Sequence, residues 1–235
     1  MLTYIYGMNH FPMDDWGVSV LLGCKLKGAN YKIYDDIDMV PRNRNTMLVG
    51  WVEDTVKFFN DMNFNVPLNL TIPDVLHKEK YLKRNIQFID NFDDLKRITK
   101  PFFIKPQKVK AFEHGLVLNT HDLIKYKDNS NFIISDIVDF MTEYRCYIID
   151  KKIVGCYNYL GDLRLYPNLN LVDDIIKDFK NAPMGYSIDV GVLLNGETCL
   201  IEVNDGWSLG NYGLEPKLYT RLLTERWIEI LKNNL

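Results

Sequence analysis

The stretch from Tyr186 to Gly213 constrains the fold of this chain more than any other part of its sequence. It contains two apolar runs on either side of the dipeptide Asn195-Gly196. Asn-Gly between two such runs is the strongest short-range signal for a β-hairpin, because both residues tolerate the backbone conformation of a tight turn. The pattern therefore predicts two antiparallel strands that are joined by a turn at Asn195-Gly196.

Three oxygen-bearing side chains interrupt these apolar runs. Asp189 lies in the first run, whereas Glu202 and Asn204 end the second run, two residues apart. Side chains alternate between the two faces of a strand, so Glu202 and Asn204 share a face, and the turn places Asp189 roughly opposite them. A solvated sheet edge explains these residues poorly, because burying an unpaired carboxylate is costly. Carboxylate and amide oxygens suit Mg²⁺, so we expect a metal site at Asp189, Glu202 and Asn204.

The composition is typical of a soluble globular protein, since 47% of the 235 residues are hydrophobic and 25% are charged. The formal net charge of −3 gives no reason to expect a nucleic acid or an anionic membrane as a partner. None of the four cysteines forms a Cys-x-x-Cys pair, which argues against a zinc site. The sequence shows neither a signal-peptide pattern nor an apolar run that could span a bilayer, so we expect a cytoplasmic protein.

Strand and helix patterns alternate in the first part of the chain and predict a small α/β layer over residues 1–70. The remainder contains further strand patterns, a helix over 171–179 and an amphipathic helix over 217–231 that begins after Pro216. The expected fold class is therefore α/β (α+β), with a small N-terminal domain in front of a larger one.

Positively charged residues recur at strand ends and in loops upstream of the hairpin. Lys105 and Lys110 bracket a polar loop, Arg145 lies on a predicted strand, and Arg164 lies in the loop that follows the next strand. A polyphosphate bound together with Mg²⁺ needs this mixture, because the metal takes oxygen ligands whereas the phosphate oxygens take cations. The sequence contains neither the P-loop motif nor the protein-kinase motif set.

The order of these features resembles the ATP-grasp superfamily. The features are, in chain order, Phe102-Phe103-Ile104-Lys105-Pro106, Lys108-Val109-Lys110, the stretch 133–138, Glu143-Tyr144-Arg145, Asp189 and Glu202-Val203-Asn204. The closing segment 202–213 is most similar to the ending of the ATP-grasp clade named for one arginine and two lysines, which is common in phages and bacteria. The resemblance covers residues 72–231. It implies an ATP-grasp fold of two α/β subdomains that grip ATP, a first lobe at 71–135 and a second lobe with the metal site at 136–235, after the N-terminal domain.

The resemblance implies an ATP-dependent carboxylate–amine ligase. A substrate carboxylate would attack the γ-phosphate of ATP to give an acyl phosphate and ADP, and an amine would then displace phosphate to form an amide. The implied cofactors are ATP and Mg²⁺, and the implied partners are small-molecule or peptide carboxylates and amines. The cellular compartment would be the host cytoplasm if a phage encodes the chain.

The resemblance also implies a role for each matched residue. Lys105 would bind the α- and β-phosphates, Lys110 would close over the γ-phosphate, and Arg145 with Arg164 would stabilise the transferred phosphoryl group or the incoming carboxylate. The implied metal ligands are Asp189, Glu202 and Asn204. The implied contacts to adenine are backbone groups of Asp136, Ile137 and Val138, with Asp139 at the ribose.

The chain departs from the superfamily pattern in its phosphate loop, because residues 106–115 contain one glycine, Gly115, where many members have several. The upstream phosphate-binding lysine of the superfamily corresponds either to Lys80 or to Lys83. The glycine-containing segment after the metal ligands is expected to contact substrate through Asp205 and Ser208. Two other functions stay open at this point: a catalytically inactive nucleotide-binding or regulatory module with the same fold, and a structural protein with a merely acidic surface.

Overall fold

The computed structural model describes residues 1–67, 70–107 and 111–234 and contains three four-stranded β-sheets. Each sheet packs against helices or against another part of the chain, so the predicted mixture of α and β elements is confirmed. In the described part of the chain, no helix has the length and apolar character that crossing a membrane requires.

The first sheet lies in the N-terminal part of the chain. Its elements are β1 (Leu2–Met8), β2 (Phe11–Pro12), α1 (Asp15–Lys27), β3 (Tyr31–Tyr34), β4 (Thr46–Val49) and α2 (Val52–Asp61). Strand β1 is central and runs parallel to β3 on one side and to β4 on the other, as the expected α/β layer requires. Helix α1 ends at Gly28, whose left-handed backbone (φ 64°) costs glycine little.

The second sheet, which we call the first-lobe sheet, has the strand order β5-β8-β6-β7 and is antiparallel throughout. The elements of this region are α3 (Glu79–Leu82), β5 (Ile86–Ile89), α4 (Phe92–Leu95), β6 (Phe102–Pro106), β7 (Gly115–Val117) and β8 (Phe132–Ser135). The alternation along β6 buries Phe102 and Ile104 in the core and leaves Lys105 on the opposite face.

The third sheet, the second-lobe sheet, has the order β10-β9-β11-β12 and is also antiparallel. Its region comprises β9 (Phe140–Ile149), β10 (Lys152–Gly161), α5 (Leu169–Asp178), β11 (Gly185–Leu193), β12 (Thr198–Asp205) and α6 (Pro216–Asn233). Helix α6 begins at the expected proline, and the Glu215 side chain accepts a hydrogen bond of 3.1 Å from the Leu218 amide in its first turn.

Strands β11 and β12 form the hairpin that the Asn-Gly dipeptide predicts. A hydrogen bond of 2.8 Å from the Gly196 amide to the Leu193 carbonyl oxygen closes the turn, and Gly196 has a φ of 81°, which suits glycine. The connection is longer than the tight turn that was expected, because the first strand ends at Leu193 and the second begins at Thr198.

Three hydrophobic clusters hold the elements together. The first joins the N-terminal sheet to α6, where Trp227 stacks on Phe59 and donates its indole N–H to the Thr46 carbonyl oxygen at 2.9 Å. The second packs α5 and residues 72–82 on one face of the second-lobe sheet, and the third lies behind the first-lobe sheet. Residues 2–66 thus contribute to a core shared with the C-terminal helix, and the predicted domain and lobe limits stay a prediction.

A buried ion pair anchors α6 to the end of β12. Both carboxylate oxygens of Asp205 accept hydrogen bonds of 2.7 Å from Arg226, whose third nitrogen donates to Glu229 at 2.8 Å. Glu229 also accepts a hydrogen bond from the Met184 amide. Burial raises the pKa of Asp205, and Arg226 opposes that shift. Asp205 was expected to contact substrate, but in the structure both oxygens of its carboxylate are bound by Arg226 inside the protein.

We expect Arg226→Met to lower the free energy of unfolding by about 3–5 kcal/mol, because it leaves the buried Asp205 carboxylate without its partner. Urea unfolding followed by circular dichroism measures this change. Arg221→Met is the matched control on the same helix, since Arg221 is 51% exposed and lies 3.6 Å from Glu225. Equal losses of unfolding free energy in the two variants would show that the buried Asp205–Arg226 pair contributes no more to stability than an exposed pair does.

Candidate functional site

A cleft of about 890 Å³ lies between the first-lobe and second-lobe sheets. Its apolar lining includes Ile86, Phe103, Leu116, Ile133 and Phe140. Its polar lining includes Arg84, Lys105, Glu143, Glu202 and Asn204. A cavity with apolar walls and a few converging charged groups has the composition of a site for a ligand that combines an aromatic and an anionic part.

The connection from β8 to β9 closes one side of this cleft. Asp136, Ile137 and Val138 line it, as expected, and this segment is held by the Asp136 carboxylate, which accepts hydrogen bonds from the Asn85 amide at 3.0 Å and from Lys100 at 2.6 Å. The Lys100 ammonium lowers the pKa of Asp136. Asp139 is exposed and is not part of the lining, so the structure does not bring it to the position expected for a ribose contact.

Arg145, Asp189 and Glu202 form a row across three neighbouring strands. The register pairs Arg145 on β9 with Asp189 on β11, and Asp189 with Glu202 on β12. Directly opposed residues share a face of the sheet, so all three side chains project from the face that borders the cleft. The register shifts between Asp189 and Val190, which pair with Glu202 and Leu200, and this leaves Ile201 as the extra residue of a β-bulge beside the site.

The Asp189 carboxylate is buried and fully engaged. Its two oxygens accept hydrogen bonds of 2.8 and 2.7 Å from Arg145, and the Asn204 amide group donates to one of them at 3.1 Å. Complete burial raises the pKa of Asp189 to about 6, although the Arg145 guanidinium favours its charged form. The structure thus brings together Asp189, Glu202 and Asn204, the three expected metal ligands.

The oxygen cluster consists of two carboxylates and one amide. Among the residues that the structure describes, no three histidine, cysteine, aspartate or glutamate side chains are grouped closely enough to hold a metal by themselves. Asn204 adds an amide group to this cluster, and hard oxygen donors of this kind would suit Mg²⁺ rather than a soft transition metal.

An ion pair across the cleft joins the two lobes. Lys105, on β6 of the first-lobe sheet, lies with its Nζ 3.1 Å from a carboxylate oxygen of Glu202 on β12. Burial alone would raise the pKa of Glu202, but the charge and hydrogen bond of Lys105, together with Asn204 and Arg145, lower that pKa. The expected phosphate-binding lysine and the expected metal-binding acid thus face each other.

The other expected catalytic cations have different surroundings. Arg145 is 7% exposed, and besides pairing with Asp189 it donates to the Gly210 carbonyl oxygen at 3.4 Å and stacks on Tyr212 at 4.6 Å. Arg164 has an 85% exposed side chain, pairs with Asp162 and is absent from the cleft lining. Lys110 lies outside the described residues, so its expected role stays a prediction.

Arg84 is a cleft residue that the sequence did not single out. Its guanidinium donates to the carbonyl oxygens of Leu82 and Leu200 at 3.0 and 2.7 Å, and no carboxylate in the described part of the chain pairs with it. Burial lowers its pKa. The two expected upstream lysines lie elsewhere: Lys80 is 3.5 Å from Asp178, and Lys83 is 2.8 Å from Glu197.

Glu143 is a second cleft residue, which the sequence placed in a matched motif but to which it assigned no role. Its carboxylate lines the cleft and accepts a hydrogen bond of 2.7 Å from the Tyr159 hydroxyl. It lies two residues before Arg145 on β9, so both side chains project from the same face. That two-residue spacing was the sequence signal that could have identified Glu143, because charged residues two positions apart on a strand lie on the same face.

The segment after the metal-ligand candidates is fixed by buried hydroxyl groups. Tyr147 donates to the Gly210 carbonyl oxygen at 3.1 Å and accepts from the Tyr212 amide at 2.7 Å, while Tyr219 donates to the Leu209 carbonyl oxygen. This segment also reaches the N-terminal domain, since the Asn211 side chain donates to Ser19 on α1 at 3.0 Å.

Solved structures with this architecture include three ligases. D-alanine–D-alanine ligase from Bacillus anthracis, complexed with ATP, is 14% identical with a TM-score of 0.62, over 99% of this chain and 97% of that chain. The ATP-grasp ligase PsnB, complexed with a minimal precursor, Mg and ADP, is 12% identical with a TM-score of 0.60, over 96% and 97%. The macrocyclase MdnC from Microcystis aeruginosa MRC, bound to its precursor peptide MdnA, is 12% identical with a TM-score of 0.57, over 95% and 99%.

Identities this low show the fold alone, and no curated protein matches the chain significantly. The sequence, however, matches the profile of an ATP-grasp domain family, the second family of the clade named for one arginine and two lysines, over residues 81–222. This match spans more than half of the chain and includes Arg84, Lys105, Arg145, Glu202 and Asn204. The chain therefore belongs to this clade of ATP-grasp proteins, as its sequence resemblance predicted, and is an ATP-grasp enzyme.

Proposed function

We propose that this enzyme is an ATP-dependent carboxylate–amine ligase that forms an amide or peptide-like bond through an acyl phosphate. The observation that carries the proposal is the meeting of Lys105 with Glu202 across the cleft, at 3.1 Å. A cation suited to phosphate and a carboxylate suited to Mg²⁺ are thereby brought to one point between the two lobes.

The nucleotide would occupy the cleft with its base among the apolar side chains and against the backbone of residues 136–138. Glu143 is better placed than Asp139 to accept hydrogen bonds from the ribose, because its carboxylate lies in the cleft. Lys105 and Arg84 supply positive charge for the phosphates. The Arg84 guanidinium is half-buried and has no carboxylate partner in the described part of the chain. An anionic ligand would supply the charge partner that it lacks, which suits Arg84 to phosphate binding.

Glu202 and Asn204 line the cleft and fit Mg²⁺ by their chemistry, so these two residues would hold it. Asp189, whose carboxylate is bound by Arg145 and Asn204, would hold the Asn204 amide in position. Bound there, Mg²⁺ would neutralise phosphate charge and polarise the γ-phosphoryl group. A substrate carboxylate oxygen then attacks the γ-phosphorus as the bond to ADP breaks. The amine nitrogen next attacks the acyl carbon, phosphate leaves, and the nitrogen loses a proton.

Peptides and amino acids are the substrate classes that the relatives favour. PsnB and MdnC are complexed with precursor peptides, and another neighbour is a D-alanine–D-alanine ligase. In this chain the segment 206–213 supports a similar location for substrate, because it follows Asn204 closely and is tied to the N-terminal domain through Asn211. Among its residues, Ser208 is exposed, whereas Asp205 before it is occupied by Arg226.

We expect Mg-ATP to raise the melting temperature of the full chain, because binding to the native state alone stabilises it. ADP release should then depend on an added acid and amine, which distinguishes a ligase from a catalytically inactive nucleotide-binding module. No melting shift with millimolar Mg-ATP would contradict both functions. A shift without ADP release, over a panel of amino acids and peptides, would leave only the inactive module.

We expect Glu202→Gln to lower ADP formation by about a hundredfold or more, because a metal ligand contributes several kcal/mol of transition-state stabilisation. Glu197→Gln in the same hairpin is the matched control, since Glu197 is 49% exposed and pairs with Lys83. Glu202 is a cleaner test than Asp189, whose replacement would leave the buried Arg145 without its partner. Wild-type rates in Glu202→Gln would contradict the metal assignment.

We expect Arg84→Met to weaken ADP binding by about tenfold to a hundredfold, because a charge-assisted hydrogen bond contributes about 1.5–3 kcal/mol. Isothermal titration calorimetry measures the change. Lys83→Met, one residue earlier, should leave the affinity unchanged, since Lys83 pairs with Glu197. If Lys83→Met weakens binding and Arg84→Met does not, the assignment of the upstream cation is reversed.

A further inference from the structure

All four tryptophans of the chain line one small cavity. The cavity has a volume of about 160 Å³, and Trp16, Trp51, Trp207 and Trp227 come to it from four different parts of the sequence. Trp16 lies at the start of α1, Trp51 follows β4, Trp207 follows β12, and Trp227 lies on α6. The rest of the lining is almost entirely apolar.

The cavity lies where the N-terminal sheet meets the segment after β12. One wall is the chain from the end of β4 into α2, residues 47–52, and the facing wall is the segment 206–210. Leu223 and Tyr219 of α6 lie behind it. Trp51 is 43% exposed and Ser208 is also exposed, so these two residues border the opening to solvent.

The position of the cavity connects it to the proposed reaction centre. Its wall begins at Gly206, two residues after Asn204, and ends at Gly210, whose carbonyl oxygen is held by Arg145 and Tyr147. The cavity also lies along β4 and the residues that follow its carboxyl end, and β4 pairs with β1. Strands β3 and β4 flank β1 on opposite sides, and ligands of open α/β sheets bind at the carboxyl ends of the strands at such a switch point.

Two properties indicate what the cavity holds. An apolar cavity of about 150 Å³ accepts a molecule the size of benzene, which is close to the volume of this one. The indole N–H of Trp207 is buried and has no acceptor in the described part of the chain. Buried donors are nearly always satisfied, so an occupant with an acceptor beside its apolar group would complete the site.

We propose that this cavity binds the side chain of the substrate amino acid or terminal peptide residue, and that it selects a compact aromatic or branched apolar side chain. The proposal rests on the proposed ligase function. It extends that function because it identifies the class of side chain that the substrate carries. A void left by imperfect packing accounts for the cavity less well, because protein interiors are close-packed and this cavity opens to solvent at Trp51 and Ser208.

The test is a titration of the full chain followed by intrinsic tryptophan fluorescence, because every tryptophan lines the cavity. L-phenylalaninamide presents the side chain with a free amine, and N-acetyl-L-phenylalanine presents it with a free carboxylate. Glycinamide and N-acetylglycine are the matched probes without a side chain. We expect saturable binding of one phenylalanine probe, at least about tenfold tighter than its glycine counterpart, because burial of an aromatic ring favours binding by that amount or more.

Ser208→Phe should place a ring at the opening and abolish this binding. Ser130→Phe, at an exposed serine in a first-lobe loop, is the matched control and should bind as the wild type does. Equal affinities for the phenylalanine and glycine probes, or unchanged binding in a folded Ser208→Phe variant, would overturn the proposal.

ADP release with the same probes separates this proposal from the proposed ligase function. Release that does not discriminate between side chains contradicts only the side-chain selectivity of the cavity, whereas selective binding without release contradicts only the ligase function.

Discussion

The ion pair between Arg145 and Asp189 is the interaction on which the geometry of the site depends. Two hydrogen bonds of 2.8 and 2.7 Å join the side chains across β9 and β11, in a region where Asp189 is 2% exposed. A buried charge is tolerated only when it is paired and its hydrogen bonds are satisfied. Because Asp189 also accepts from Asn204, and Arg145 also donates to Gly210, the pair fixes the metal-ligand candidates and the following segment together.

The same charges that would bind Mg-ATP are paired with one another in its absence. Lys105 neutralises Glu202 across the cleft, and Arg145 neutralises Asp189 within the sheet. Nucleotide binding would therefore exchange internal ion pairs for pairs with phosphate and metal. The net affinity is then a difference between two large electrostatic contributions, and the internal pairs hold the lobes and the ligands in place before the nucleotide arrives.

The sequence predicted those parts of the fold and site that depend on local pattern. The Asn195-Gly196 turn and the alternation of Glu202 and Asn204 follow from backbone preference and strand periodicity, and the structure agrees with both. The resemblance implied a phosphate role for Lys105 and a metal role for Glu202, and the structure places these two side chains 3.1 Å apart. The resemblance supplied the fold, since no local pattern specifies how two lobes face each other.

The features that the sequence did not predict depend on partners that are distant in the chain. The sequence suggested that Asp205 contacts substrate, but in the structure α6 places Arg226 against its carboxylate. Lys83 and Arg84 are neighbours, and Lys83 ends α3 with a left-handed backbone (φ 51°). Lys83 then meets Glu197, while Arg84 lines the cleft. Periodicity states which residues share a face, but it cannot state which of two adjacent cations faces a ligand.

A crystal structure of the full chain with ADP and Mg²⁺ would show whether the nucleotide binds between the two sheets. We expect the base against residues 136–138, the phosphates at Lys105 and Arg84, and the metal on Glu202 and Asn204, with the Lys105–Glu202 pair broken. A nucleotide bound outside this cleft, or a metal held by other side chains while the Lys105–Glu202 pair persists, would contradict this expectation.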